Sequence, residues 1–236
     1  MKKVAFLFFC LLLVCNASKA QNFMTMYIPS YQTTSFKAEN VPASNGVHGD
    51  ASGSFSHTTF KGDGIVGNLV MGIDVTGIWL AVVRGKITSP DSEPFYGGGF
   101  DMSLGGAFNI TSTTKLGAAA NITYGHGLHY TDGTNTFTNY ISGLGFTIIG
   151  LQSFGKRLYL MPKLVFYPKW KSNFNTDVRF ETSIGFRLIG PLGVSITPGF
   201  EKLTINNDQK QGTTVVSMPA GYVHFSYMQY GISFMF

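Results

Sequence analysis

The sequence predicts an all-β fold, an antiparallel transmembrane up-and-down β-barrel of about ten strands, with eight or twelve strands left open. Three observations predict it: long segments in which apolar and polar residues alternate, short turns that alternate with long polar loops, and an apolar leader at the N-terminus. Alternation with a period of two is typical of a strand buried on one face, and no helical period fits it. A soluble β-sandwich is the alternative that the same alternation leaves open.

The first twenty residues predict a secretory signal peptide. Two lysines precede an apolar run, residues 4–14, and Ser18-Lys19-Ala20 offers a small-x-small cleavage site. The run is too short to span a bilayer, so we do not expect a retained anchor. Cleavage before Gln21 would leave 216 of the 236 residues and remove both cysteines. The mature chain would therefore have no disulfides and no cysteine metal sites.

Charge and hydropathy exclude two classes of protein. The formal net charge is +5, and removal of the three lysines in the first twenty residues lowers it to +2. Nucleic-acid binding needs a concentrated basic stripe, so it is not expected. No apolar run after residue 20 approaches eighteen residues, which excludes a helical membrane protein.

The mature chain is divided into an N-terminal segment and the main part of the barrel. Residues 21–63 are rich in Ser, Thr and Gly and are expected to supply the first strand, from 23–36 or 52–60, plus a loop or insert. Residues 64–236 are expected to supply nine strands of the outer-membrane barrel. Bacterial single-chain barrels have even strand numbers, so the total prediction is ten.

The clearest strand prediction covers residues 176–189, where one face is almost entirely apolar and the other densely charged. The other strand predictions are 64–75, 77–88, 97–110, 115–129, 138–152, 157–169, 193–205 and 221–236. Short turns are predicted at 75–77, 111–114, 153–155 and 190–192, and longer loops at 89–96, 130–137, 170–175 and 206–220. Short turns at one end and long loops at the other are typical of outer-membrane barrels.

Eight charged residues are predicted to form a polar network in the lumen, because they lie on the polar faces of their strands. They are Asp101, Arg157, Lys163, Asp177, Arg179, Glu181, Arg187 and Glu201. Such a network either fills the barrel as a structural core or lines a small pore. About ten strands leave little free bore once side chains fill it, which favours the structural core.

The last eight residues, QYGISFMF, end the predicted final strand. Gln229, Gly231, Phe234 and Phe236 stand at positions that resemble the C-terminal signal by which the barrel-assembly machinery recognises outer-membrane proteins. The resemblance implies a class, the small Gram-negative outer-membrane β-barrels, without a narrower family. It also implies the assembly machinery as a partner during biogenesis.

The segment His224-Phe225-Ser226 is similar to the His-x-Ser element of the outer-membrane lipid A deacylases, whose site lies on the outer wall of a small barrel. The similarity implies His224 and Ser226 as a catalytic pair. Tyr227 stands where that family has Asn, and Glu201 is expected to face the lumen. No later acid therefore orients the histidine, as such a mechanism requires.

Neither a protease site nor a metal site is expected. Omptin-type outer-membrane proteases carry paired Asp and Asp-His residues at the outer rim, and Asp132 and His129 are the comparable neighbours here. The strands are not expected to extend as far above the membrane as omptin strands do. His126 and His129 are three residues apart on a strand, so they face opposite sides and cannot share one metal ion. No cofactor is expected.

Basic residues near the extracellular strand ends predict contact with lipopolysaccharide. Lys169, Lys171 and Lys202 are expected at the level of its phosphates, to which they could donate charge-assisted hydrogen bonds. Trp170 suits the aromatic belt at that interface. Ordinary solvated charge is the alternative for these residues.

These features together predict an integral outer-membrane β-barrel that is non-catalytic. It would serve as a structural or accessory protein of the cell envelope, or as a narrow, porin-like passive channel. A lipid A deacylase-like enzyme and a surface adhesin are the alternatives.

We predict that deleting Phe236, or changing it to Asp, impairs insertion into the outer membrane, because the terminal aromatic residue matches the assembly signal. Immunoblots of fractionated membranes measure the inserted protein, with a Lys210→Gln variant in a predicted loop as the control. Normal outer-membrane levels of the Phe236 variants would contradict the interpretation of QYGISFMF.

Overall fold

A computed structural model describes most of the chain after the predicted signal peptide. The described residues are 22–42, 48–76, 95–97, 99–132, 135–168, 176–207, 209–211, 214–216 and 219–235. The predicted signal peptide and Phe236 lie outside them. Within these ranges no helix is long and apolar enough to cross a membrane.

The described residues form thirteen strands joined in antiparallel pairs. The strands are β1 (Phe23–Pro42), β2 (His48–Val66), β3 (Leu69–Thr76), β4 (Phe95–Gly97), β5 (Gly99–Asn109), β6 (Thr114–Asp132), β7 (Asn135–Phe154), β8 (Leu158–Tyr167), β9 (Thr176–Ile189), β10 (Leu192–Ile205), β11 (Gln209–Gln211), β12 (Thr214–Val216) and β13 (Gly221–Met235).

Ten of these strands close into a barrel in chain order. The ring runs β1, β2, β3, β5, β6, β7, β8, β9, β10 and β13, and β13 pairs back onto β1. The short β4 precedes β5 and pairs with the far part of β6, while β11 and β12 form a separate hairpin. The predicted all-β, up-and-down barrel of ten antiparallel strands is therefore confirmed.

Four tight turns lie at one end of the barrel, together with Asn22 and Met235. They occupy residues 67–68, 110–113, 155–157 and 190–191. Gly155 and Gly190 have φ angles of 65° and 53°, in the left-handed region that favours glycine. We name this end periplasmic and the opposite end extracellular, following the arrangement of outer-membrane barrels.

The N-terminal third differs from the prediction. Residues 21–63 supply β1 and most of β2, so the expected boundary at 63–64 falls inside a strand. The turn predicted at 75–77 is wrong, because Val75 and Thr76 pair with residues of β5, and the chain reverses at Gly67-Asn68 instead. The predicted strand 77–88 lies outside the described residues, and the ring closes by direct pairing of β3 with β5.

Four strands are longer than the prediction allowed. β1, β2, β6 and β7 have 19 or 20 residues each, whereas a tilted strand needs about 9 to 11 to cross the hydrocarbon layer. The long loop predicted at 130–137 is accordingly wrong, since β6 continues to Asp132 and β7 begins at Asn135. These strands project beyond the membrane at the extracellular end.

The strand β1 is irregular where it meets both neighbours. Between the pairs Met26–Ile232 and Tyr31–Tyr230, β1 advances five residues while β13 advances two. A second irregularity against β2 lies between Tyr27 and Ser30. The bulge changes which positions of β1 face the lumen. Below it the odd-numbered Thr25 is buried, and above it the even-numbered Gln32 is buried.

The outer wall of the barrel is an apolar belt. Phe180 and Ile184 of β9 are 50% and 39% exposed, whereas their neighbours Arg179 and Glu181 are buried. Other large, exposed apolar side chains on outward positions are Met102, Leu104, Ile122, Leu144, Phe146, Ile148, Phe166, Phe186, Val194, Phe200, Tyr230 and Ile232. A continuous apolar surface of this size on a closed barrel is typical of a lipid-facing wall.

Two apolar groups fill the ends of the lumen. The lower apolar layer, near the periplasmic end, comprises Phe23, Ile65, Val70, Ala119, Ile149, Leu151, Tyr159, Met161 and Met235. The upper apolar cluster lies on one side of the extracellular half and comprises Phe36, Ala38, Val41, Val165, Tyr167, Leu203, Ile205, Val223 and Phe225. Phe23 and Tyr159 stack across the lower layer with ring centroids 5.5 Å apart.

We predict that Ile184→Arg destabilises the barrel by about 2 to 4 kcal/mol, because it places a charge in the middle of the lipid-facing wall. Thr176→Arg, outward at the end of the same strand, should cost about 0 to 1 kcal/mol. Urea titrations in lipid vesicles measure both free energies. Spin labels that report lipid exposure at positions 179 and 181 instead of 180 and 184 would contradict the register.

Candidate functional site

The middle of the lumen contains two groups of ion pairs. The lysine cluster consists of Lys61, Asp63, Lys163 and Glu181. The Nζ of Lys163 donates to Asp63 at 2.5 Å and also pairs with Glu181, which in turn accepts from Lys61. The Tyr227 hydroxyl donates to Glu181 at 3.1 Å. Both Glu181 oxygens thus have donors, as a buried carboxylate requires.

The arginine cluster lies nearer the extracellular end and consists of Arg179, Asp101, Asp177 and Glu201. Nη1 of Arg179 donates to Asp101 at 2.9 Å and Nε donates to Asp177 at 2.8 Å. The Glu201 carboxylate is 3.6 Å from the same Nε. The guanidinium also lies over the Tyr167 ring, 5.4 Å from its centroid. One cation therefore holds three carboxylates in a nearly dry environment.

These contacts join opposite walls of the barrel. Asp63 lies on β2 and Lys163 on β8, five positions apart in a ring of ten strands, which is the largest separation that the ring allows. Arg179 of β9 reaches Asp101 on β5, four positions away. Because side chains from facing walls meet, the network fills the bore rather than lining it.

The network has more carboxylates than cations. Its three cations are Lys61, Lys163 and Arg179, and its five carboxylates belong to Asp63, Asp101, Asp177, Glu181 and Glu201. Asp74 also lines the adjoining cavity, directly opposite Asp101 on the next strand.

A small cavity adjoins both clusters on the β3–β5–β6 side of the lumen. Its volume is about 20 Å³, room for about one water molecule. Asn121 and Arg179 line it, and among the described residues Oδ1 of Asn121 and Nη2 of Arg179 have no hydrogen-bond partner. Gly72 also lines the cavity, and a Cβ there would lie 2.2 Å from Oγ of Ser103.

Six of the eight residues predicted for the lumen network lie in the two clusters, and two do not. Arg157 is exposed in the turn 155–157, so its assignment to the network is wrong. The strand that was expected to include it starts one residue later. Arg187 is half-buried at the periplasmic end, where Nη2 donates to the Tyr159 hydroxyl at 3.0 Å and to the Met235 carbonyl at 2.7 Å.

Lys61 and Asp63 were not predicted, although they complete the lysine cluster. Their segment is rich in Ser, Thr and Gly, and between His48 and Lys61 its outward side carries one large apolar residue, Phe60. The signal that could have found the strand is Gly67-Asn68, a two-residue hairpin turn between Val66 and Leu69. That turn places β2 beside β3 and fixes which of its residues face the lumen.

The outer wall contains His224, Ser226 and Lys202 near the extracellular end. The ring of His224 lies between Phe200 and Tyr222, at centroid distances of 6.0 and 6.5 Å. Nζ of Lys202 is 4.4 Å from the centroid of the Tyr222 ring. The other residues expected to contact lipopolysaccharide, Lys169, Trp170 and Lys171, lie outside the described residues, as do the side chains of His129 and Asp132.

The C-terminal signal residues alternate across the wall of β13. Gln229 is buried in the lumen, where its Nε2 donates to Oε1 of Gln32. Tyr230 and Ile232 are exposed on the outer wall, and Phe234 is partly exposed on the same side. Their recognition by an assembly machinery stays a prediction.

No protein-family model matches the sequence, and comparison with curated proteins found no relative. Among solved structures, the outer membrane protease OmpT from Escherichia coli is 10% identical with a TM-score of 0.46, covering 93% of this chain and 98% of that one. The Pseudomonas putida toluene transporter TodX is 10% identical with a TM-score of 0.33, covering 94% and 90%. The CymD monoaromatic hydrocarbon channel is 9% identical with a TM-score of 0.29, covering 96% and 92%. At such values nothing about the activity of this chain follows from them.

We predict that Lys163→Met lowers the free energy of unfolding by about 3 to 5 kcal/mol, because it leaves Lys61, of the residues that the structure describes, as the one cation that pairs with both buried carboxylates, Asp63 and Glu181. The double variant Lys163→Met/Asp63→Asn should recover most of this loss, since it restores the balance of charge. Urea titration in vesicles measures both, with Lys156→Met in the exposed turn as the control. A single variant as stable as the wild type would contradict the network.

Proposed function

We propose that this protein is an integral outer-membrane β-barrel with a closed lumen and a structural or accessory role in the envelope. The observation that carries the proposal is the bridging of opposite walls by Lys163–Asp63 and Arg179–Asp101. Within the described part of the lumen, buried side chains that join facing walls resist deformation and obstruct the passage of water along the axis.

The membrane assignment is supported by the distribution of polarity across the wall. In a soluble β-sandwich the exposed face is polar and the apolar face is buried between sheets. Here the order is inverted: Phe180 and Ile184 are exposed, while Asp177 and Glu201 are fully buried in the interior. This inversion suits a protein whose surroundings are lipid and whose interior is polar.

A passive channel is less well supported than a closed barrel. A conducting lumen needs a path for water and ions, and the described part of the lumen contains the lower apolar layer, the two ion clusters and a cavity of about 20 Å³. Moving an ion past the stacked Phe23 and Tyr159 rings would require stripping its water. Closure at two successive levels therefore favours the structural role.

We predict that the purified protein gives no steady conductance steps in planar lipid bilayers, whereas an open general porin does so under the same conditions. Insertion is verified on the same samples by heat-modifiable gel migration and by fractionation of the native protein with outer membranes. Regular conductance steps from correctly inserted protein would contradict the closed lumen. Partition of the native protein into the soluble fraction would contradict the membrane assignment.

A second candidate function, a lipid hydrolase on the outer wall, is favoured by the position of Glu39. The closure of β1 onto β13 places Glu39 opposite Tyr222, on the same outward face as His224 and diagonal to it. Glu39 is held by Lys37 at 2.6 Å. In this candidate Ser226 would be the nucleophile, His224 its base and Glu39 the orienting acid.

This second function is tested with lipopolysaccharide as substrate. Mass spectrometry of the product would show loss of one acyl chain and an equal amount of free fatty acid, and Ser226→Ala would abolish both. An unchanged substrate after long incubation with correctly inserted protein would exclude the hydrolase.

A further inference from the structure

The outer wall carries a row of three basic side chains at its extracellular margin. Lys37 of β1, His224 of β13 and Lys202 of β10 are direct partners across two successive strand pairs, and all three face outward. Directly opposite residues in antiparallel strands have Cβ atoms about 4.5 to 5.5 Å apart. We call these three residues the basic row.

The carboxylates near the basic row lie at its Lys37 end. Glu39 pairs with Lys37 at 2.6 Å, and the Asp50 carboxylate of β2 also attracts Lys37 at the exposed edge. Lys202, at the other end of the row, lies over the Tyr222 ring and has no ion pair with a carboxylate among the described residues. Lys202, with His224 beside it, is therefore the cation of the row that is most available to an anion.

Below the basic row the outer wall changes from cationic to hydroxyl-rich. A groove of about 480 Å³ lies there, and its outward side chains are Thr33, Ser35, Ser54, Ser56, Ser226 and Met228. Ser35 and Ser226 are direct partners, two residues below the pair of Lys37 and His224. On this sector of the wall, hydroxyl groups replace the large apolar residues that cover the rest of the outer surface.

The height of these groups matches the edge of the apolar belt. Ser226 is nine residues above Met235 on β13, which at about 3.3 Å per residue and a tilt of about 40° is roughly 23 Å along the barrel axis. The apolar band of outer-membrane barrels is about 25 Å tall. The groove therefore lies at the boundary of the hydrocarbon layer, and the basic row lies at the level of lipid headgroups.

From the periplasmic end outward, the sector thus presents apolar side chains, then hydroxyl groups, then cations. A lipid with a phosphorylated sugar headgroup has the same order of acyl chains, hydroxyls and phosphate. We propose that the basic row and the groove form a binding site for the phosphorylated sugar headgroup of an outer-leaflet glycolipid. Lys37, His224 and Lys202 bind the phosphate, and Ser35 and Ser226 contact the sugar hydroxyls. The site rests on the proposed membrane-spanning function.

The binding experiment uses the intact, detergent-purified protein and vesicles that contain lipopolysaccharide, either native or treated with phosphatase. We expect the wild type to bind the native form about tenfold more tightly than the dephosphorylated form, since charge-assisted hydrogen bonds to phosphate are lost with the phosphate. Inorganic phosphate alone should not compete at equal concentration, because it lacks the sugar and the acyl chains. Equal affinity of the wild type for both vesicles would overturn the proposal without the need for any variant.

Two matched variants test whether the binding site lies on this part of the outer wall. Lys37→Gln/His224→Gln/Lys202→Gln should remove the preference for the phosphorylated form, while Lys156→Gln/Arg157→Gln, exposed in a periplasmic turn, should retain it. Heat-modifiable migration of every sample reports whether the barrel is inserted, so failure of the membrane assignment is distinguished from failure of the site. A basic-row variant that is inserted and keeps the tenfold preference would overturn the proposal.

Discussion

The structure depends on the narrowness of its lumen, which forces side chains from facing walls to share one space. Lys163 and Asp63 meet although they stand on opposite sides of the ring. Where two large groups would collide, glycine makes room: a Cβ on Gly145 would lie 2.4 Å from the Tyr167 ring, and one on Gly199 would lie 2.2 Å from the Tyr227 ring. The middle of the lumen is therefore a packed core built from polar groups, with the Tyr167 and Tyr227 rings each seated over a glycine.

This core and the lipid-facing wall enforce the same strand register. A shift of one residue on β9 would move Arg179 and Glu181 into lipid and Phe180 into the charged interior, because the side-chain period of a strand is two. An Arg or Lys on the lipid face costs about 2 to 4 kcal/mol near the middle of the bilayer, and an Asp or Glu costs less. The ion pairs thus contribute to specificity of pairing even where their net contribution to stability is small.

The sequence predicts the barrel well where each strand presents two unlike faces, and poorly where it does not. On β9 the alternation of Phe180 and Ile184 with Arg179 and Glu181 identifies strand, register and lumen face together. On β2 neither face is strongly apolar, so the sequence predicts one strand, 23–36 or 52–60, where β1 and β2 both lie, and it reaches ten strands by including 77–88. The pairing of Lys61 with Glu181, and the approach of Glu39 to His224, depend on closure of the ring and cannot be read from local periodicity.

The bulge in β1 lies at the seam where the first strand meets the last, and this has a kinetic consequence. The pairs across the seam, such as Phe23 with Met235, are separated by nearly the whole described chain, so they contribute the highest contact order of any strand pair. Closing so long a loop has the largest entropic cost, and the missing backbone pairs within the bulge return less enthalpy there than a regular ladder would. The other nine strand pairs join strands that follow one another in the barrel and can form locally as hairpins. Formation of the β1–β13 pair should therefore be the rate-limiting step of folding. The species that precedes it should be an open sheet in which the other nine strand pairs have already formed.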